Sequence, residues 1–326
     1  MESAPRAILF VAASGIGNTI LATPMIQRAR ELWPQARLDL LTSRRIFSAP
    51  LVRANLMGDF FDLEHLVPST LWRLRRRRYD VSINCFPSNR WQFNLVSGII
   101  GAKLRLTHSY PEGNRFSNLM NRLLPADESL HDIEQNLRLL DLFGRDNSAP
   151  VPAPAFALSA NDERQADEWL KNQQLEGARI VGMHVGGNPA RAGLLMNRPL
   201  GTIKSPRSAD LQREIAGQSA ESAIVLFGGA EEDAVIADFR SQLPGEIQRR
   251  CHRYRSDLWT TAALIRRCAY FVSGDTALMH IAAVFEVPQK AFFIASNPIR
   301  TAPRNPRAVM VTEKSCAAYR YPFTIR

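Results

Sequence analysis

The sequence has no run of about 18 apolar residues, the length a helix needs to cross a bilayer, so no membrane span is expected. Cysteine is scarce: Cys85, Cys251, Cys268 and Cys316 are the only four in 326 residues, and no two are close. That spacing excludes a zinc pattern and a redox C-x-x-C, and it reads as free thiols in a reducing compartment. The opening "MESAPRAILFVAAS" lacks a basic segment followed by a long apolar core. No secretory signal is expected, and a cytoplasmic location follows as the default. Missing as well are the G-x-x-x-x-G-K-[ST] of a P-loop and the G-x-S-x-G elbow of α/β hydrolases. No D-x-D pair is present to hold a metal between two carboxylates of one loop, so no metal is expected. Zinc fingers, RNA-recognition signatures and aromatic-interleaved basic repeats are absent too, which turns the reading away from nucleic acid.

What is present is an ordinary globular composition, 45% hydrophobic and 22% charged, in a chain long enough for two domains. The net charge is +10, with its densest cluster in "LWRLRRRRYD", which carries Arg73, Arg75, Arg76, Arg77 and Arg78. Anionic lipid or a phosphorylated substrate suits such a patch, and so does the plain solvated end of a helix. Attraction of this kind is peripheral and screened by salt.

Apolar runs alternate with helical patterns along the chain. Strands are predicted at 7–13, 38–42, 80–86 and 103–108, with helices over 19–33, 71–78, 89–100 and 131–143. "SAPVPAPAF" at 148–156 has too much proline for helix or sheet and reads as a linker. Beyond it the scheme repeats, with strands at 179–186, 223–229, 270–275 and 290–296. Helices are predicted there over 160–173, 207–219, 231–242, 257–268 and 276–286. Strands and helices in alternation imply α/β architecture with parallel sheets covered on both faces. The expected organisation is a Rossmann-like domain over 1–150 and another over 156–326, with strand-end loops facing a central cleft.

Those loops carry "SGIGN", "GGNPAR", "GGAEED" and "SGDTALMH", glycine-bearing turns that expose backbone N–H groups to an anion. A dinucleotide fingerprint is incomplete: Gly15 and Gly17 fit, but position 20 is Ile and the second strand ends on Thr42 rather than an acid. The fullest motif is "YFVSGDTALMHIAA". Asp275 or Thr276 is expected to cap a helix, and His280 lies four residues on, on the same face as Thr276. A plain N-cap with His280 packed on the sheet is one reading. The other is a diphosphate at the helix start, with Asp275 on sugar hydroxyls and His280 on phosphate or on Asp275.

Together "GIGNTILATPMIQRARELWP", "HDIEQNLRLLDLFG" and "FVSGDTALMHIAAVFEVPQKAFF" resemble glycosyltransferase family 9, the ADP-heptose:lipopolysaccharide heptosyltransferases, over residues 7 to about 305. The resemblance implies a GT-B fold and inverting, metal-independent transfer of a sugar, with heptose from ADP-heptose as the donor and no cofactor. It implies a nucleotide sugar on the carboxy-terminal domain and a phosphorylated glycolipid acceptor of the lipopolysaccharide core on the amino-terminal one. An enzyme at the inner face of an anionic inner membrane fits that acceptor. Carried onto this chain, Asp275, Thr276, Ala277 and His280 match the donor motif, with Ala277 where the family usually has Gly. Glu231 or Glu232 matches an acid that bonds the ribose. Gly186, Gly187 and Asn188 match the small polar loop, and Lys204 is the choice for neutralising the departing diphosphate, with Arg191 and Arg198 as rivals.

The turn Gly15–Gly17–Asn18 falls on the acceptor side, where the family usually has Asp as general base. Asn18 can position a hydroxyl but cannot take its proton. Three explanations stand open. Another group (Glu112, His108 or Asp132) serves as base; or the proton leaves late and diphosphate stabilisation dominates; or the chain binds a sugar nucleotide with little or no transfer.

Overall fold

The computed structural model describes residues 4–12, 15–64, 67–143, 149–186, 206, 208–294 and 296–312. The chain divides into two compact units, Met1–Ala157 and Leu158–Arg326.

Unit 1 opens with β1 (Ala7–Val11), α1 (Ile16–Leu32), β2 (Arg37–Thr42), α2 (Ala49–Val52) and β3 (Phe60–Asp62). It continues through α3 (Val67–Arg76), β4 (Val81–Asn84), α4 (Trp91–Ile100), β5 (Leu104–Ser109), β6 (Arg122–Pro125) and α5 (Asp132–Asp141). Its sheet runs β3-β2-β1-β4-β5-β6 and every pairing is parallel. Strand side chains alternate between faces. Ile8, Phe10, Leu38 and Leu40 therefore meet Leu21, Met25 and Ile26 of α1 and Leu137 and Leu140 of α5. Leu9, Val11 and Leu41 face the other way, against Leu74 of α3 and Phe93 and Ile100 of α4.

Residues 149–156 of the proline-rich stretch form neither helix nor strand and are tied to α1. Arg28 donates to the carbonyls of Ala149 and Pro150, Gln27 donates to Ala153, and the Ala155 N–H donates to Thr23. With sheet on one side, α5 alongside and this strap behind, α1 is buried nearly all round.

Unit 2 begins with α6 (Ala160–Asn172), closed at its start by a capping box of Ser159 and Asp162. Next come β7 (Ile180–His184), α7 (Ser208–Ala216), β8 (Ala223–Phe227), α8 (Asp233–Ser241), α9 (Gly245–Arg249) and β9 (Cys251–Tyr254). The unit ends with α10 (Leu258–Arg266), β10 (Tyr270–Gly274), α11 (Ala277–Val284), β11 (Gln289–Phe293), α12 (Pro298–Thr301) and β12 (Ala308–Thr312). Its sheet runs β12-β11-β10-β7-β8-β9, again parallel throughout. Both sheets thus follow the doubly wound order in which the first and fourth strands of the unit lie side by side, and ligands bind outside that junction at the carboxyl ends. In unit 1 the junction is β1/β4; in unit 2 it is β7/β10.

Three of the four cysteines, Cys85, Cys251 and Cys268, are buried free thiols, and burial pushes Cys85 up to about 12 and Cys251 to about 11. Cys316 lies outside the described residues. Among the described residues no helix is long and apolar enough to cross a membrane.

Candidate nucleotide-sugar site at the β7/β10 junction

β7 is apolar and buried along its length until it ends on His184, from which Val185 and Gly186 lead into the following loop. β10 ends on Gly274, and Asp275 and Thr276 then turn the chain into α11. The imidazole of His184 bridges the two exits. Its Nδ1 lies 3.1 Å from the Thr276 hydroxyl, and its Nε2 lies 3.2 Å from each carboxylate oxygen of Glu232. An ionised carboxylate only accepts, so Nε2 carries a proton, and Nδ1 is the atom that meets the hydroxyl.

Glu232 comes from the turn after β8, where it also accepts the Gly229 N–H at 2.9 Å. Burial works to raise its pKa, yet the hydrogen bond and charge of His184, the Gly229 N–H and the charge of Arg253 outweigh that. The carboxyl is held below its ordinary value near 4.5. Its side chain fills the space beside Gly186, where an added Cβ would overlap the Glu232 carboxyl. Glycine at 186 is therefore a requirement of the Glu232–His184 pair.

Thr276 is the N-cap residue of α11 with extended backbone, but its side chain makes no capping bond. Of the two residues expected to cap the helix, Asp275 or Thr276, Thr276 does not do so, because its hydroxyl is engaged by His184 instead. Asp275 and His280 are 8% and 5% exposed, whereas Thr276 and Ala277 at the helix entry are half-exposed. The acidic pair after β8 divides: Glu232 is buried against His184, and Glu231 is exposed at the rim. Of the two acids expected as the ribose contact, Glu231 is the exposed one. Of the loop after β7, Gly186 is described; Gly187, Asn188, Arg191, Arg198 and Lys204 lie outside the described residues.

His184 was not among the residues singled out in the sequence. Its signal was a polar residue closing an apolar strand just before a Gly-Gly turn, in "GMHVGG".

In unit 1, Gly15 is the N-cap of α1 at φ 132, a conformation that side chains rarely adopt. Gly17 and Asn18 follow in the first turn, half-exposed, and no acid occurs in that turn. Two of the alternative bases are placed poorly for the task. His108 is fully buried and packs edge-on against Phe86 at 4.9 Å, and Asp132 is buried as the first residue of α5. Glu112 is exposed in the turn after β5.

These two sheets, with the same strand order and their strand-end turns, define an α/β protein of the GT-B class. Solved structures agree on the fold. A glycosyltransferase family 9 protein from Veillonella parvula superposes with a TM-score of 0.76 at 17% identity, covering 95% of this chain and 86% of that one. The E. coli ADP-heptose lps heptosyltransferase II gives 0.72 at 20% identity, covering 94% and 90%. In sequence, residues 212–321 match the family model of Glycosyltransferase family 9 (heptosyltransferase). The E. coli lipopolysaccharide heptosyltransferase 3 is 22% identical over 87% of this chain and 81% of its own length. The Haemophilus influenzae lipooligosaccharide heptosyltransferase 2 is 32% identical over a shorter stretch, 27% of this chain and 26% of that protein. Over residues 212–321 the chain is thus similar to glycosyltransferase family 9, and the curated proteins it resembles along most of its length are heptosyltransferases.

Proposed function

We propose that this chain transfers a heptose from ADP-heptose, with inversion and without a metal, to a phosphorylated glycolipid acceptor of the lipopolysaccharide core type. The reaction belongs in the cytoplasm, at the surface of an anionic membrane. The observation that carries the reading is the His184 bridge between the β7 and β10 exits. It holds Thr276, whose hydroxyl donates to Nδ1, at the entry of α11, where a diphosphate meets backbone N–H groups at the positive end of a helix. Glu231 then bonds the ribose, Asp275 the sugar hydroxyls, and Gly186, Gly187 and Asn188 line the donor. Ala277 borders the phosphates, and His280 steadies Asp275 from within α11. Lys204 supplies the charge that meets the departing diphosphate, work a metal does in other transferases.

On the acceptor side, the backbone of Gly15–Gly17 and the amide of Asn18 orient the attacking hydroxyl. The hydroxyl oxygen attacks the anomeric carbon as the bond to the diphosphate breaks, and the hydroxyl proton departs late, so stabilising the leaving group is the dominant contribution. Burial of His108 and Asp132 argues against those two as the base, which leaves Glu112, exposed in the turn after β5, as the rival to a late-departing proton.

The test is turnover of ADP-heptose on a heptose-deficient core acceptor, followed by ADP release and by the anomeric configuration of the product, with Asn18→Asp in parallel. The expected outcome is transfer by the native chain, unchanged by chelator, and no gain in Asn18→Asp approaching the roughly 10²–10⁴ of a general base. A native chain that binds ADP but transfers only after Asn18→Asp would establish the binding-protein alternative instead.

A further inference from the structure

Residues 67–125 hold ten Lys and Arg against two Asp and Glu, so most of the net charge of +10 resides in this part of unit 1. The helices of this stretch, α3 and α4, lie side by side on one face of the sheet, with Leu74, Phe93 and Ile100 turned inward. Their outward side is not the polar surface such helices usually show. Trp72 is 58% exposed, Trp91 and Phe116 are 41% exposed and Ile99 is 40% exposed. α4, with the sequence WQFNLVSGII, carries no charged residue at all, and Trp91, Leu95 and Ile99 recur on it at four-residue spacing. Contacts tie the two helices and the loop after β5 together. Arg75 of α3 donates to the Ile99 carbonyl at 2.6 Å, and the Trp91 and Phe116 rings lie 5.8 Å apart.

Cations flank this apolar stripe. Arg76 stacks over Trp72 at 4.5 Å, and Arg73 and Arg115 are exposed. Not every arginine of the run belongs to the surface. Arg77 is turned in, bonded at 2.9 Å to the buried Asp39 and at 2.5 Å to Asp59. The contiguous run "RRRR" therefore splits into a structural member and exposed ones.

We propose that the outer face of α3 and α4 docks on an anionic bilayer, with Trp72, Trp91, Ile99 and Phe116 entering the headgroup region and Arg73, Arg76 and Arg115 meeting lipid phosphates. Exposed Trp and Phe beside Arg, with aliphatic residues between them, is the chemistry of an interfacial surface. A second copy of the same face is a poor occupant, because a two-fold contact sets two strongly basic surfaces against each other. Trp91 opens α4 at the carboxyl edge of the sheet, the edge that also carries Gly15–Asn18. A lipid-borne acceptor is thereby brought to the acceptor side. The docking rests on the membrane location proposed above, but it is measured without donor or acceptor, so its failure leaves the transfer reaction standing.

The experiment is sedimentation of the full chain with phosphatidylglycerol-containing vesicles and with neutral phosphatidylcholine vesicles, at low salt and at about 0.5 M salt. The variants are Trp72→Ser/Trp91→Ser, Arg73→Gln/Arg76→Gln and, as a control on unit 2, Val309→Ser. Melting curves verify that each is folded. Expected are binding to anionic vesicles only, weakening with salt, and about a fivefold loss for each arginine removed. The tryptophan pair should lose binding several-fold at low salt, and Val309→Ser should leave it unchanged. The proposal is overturned by equal binding to neutral vesicles, or by folded tryptophan and arginine variants that bind like the native chain. It is overturned equally if the native chain sediments with neither kind of vesicle.

Discussion

Glu232 and His184 are each about nine-tenths enclosed and bonded to one another, and this pair sets the position of Thr276. A buried carboxylate is tolerable only when its acceptor sites are filled, and here His184 and the Gly229 N–H fill them. The pair also makes stability depend on pH with a definite sign. The folded pKa of Glu232 lies below its ordinary value near 4.5, so its contribution is complete above that value and is lost as pH falls through the depressed folded value. Glu232→Gln should cost about 1–3 kcal/mol at neutral pH and should remove that portion of the acid-side decline. Denaturant melts of both proteins between neutral pH and about pH 3 check this. Parallel pH profiles for native and variant would contradict the assignment.

At the scale of elements, the junction depends on how closely the β7 exit passes the turn after β8. Gly186→Ala places a methyl against the Glu232 carboxyl. The expected result is displacement of Glu232, loss of its bond to His184 and weaker nucleotide binding by at least about tenfold, with the fold retained. Calorimetric titration of the variant and native chains with ADP measures it. Unchanged affinity would mean that the pair does not position Thr276. The sequence pattern found the central strands of both sheets, and their helices within a few residues. It missed β3, β6, β9 and β12, which are the four edge strands. Edge strands have one flank without a partner and are spared full burial. "CHRY" and "RLLP" show it by mixing polar residues and proline into the run. Central strands, covered on both faces, read as unbroken apolar stretches such as "AILFV" and "AIVLF".

For the whole molecule, two units with the same strand order differ in the residues at their junctions, and those residues, not the fold, choose a ligand. The motif at Asp275–His280 is local, and it was legible because all its parts lie in one strand–turn–helix. His184 was not, because its partners are 48 and 92 residues away and only the sheet brings them together. For the same reason the sequence left Glu231 and Glu232 equivalent, whereas packing turns one inward and the other to the rim. The central claim is that the β7/β10 junction of unit 2 receives a nucleoside diphosphate at the helix entry that the His184–Thr276 bond holds in place. The most direct measurement is calorimetric titration of ADP, UDP and GDP into the native chain and into Thr276→Val. The account expects native binding with ADP preferred, and a loss of about ten- to a hundredfold in Thr276→Val. No binding of any of the three, or full affinity in the valine variant, would contradict it.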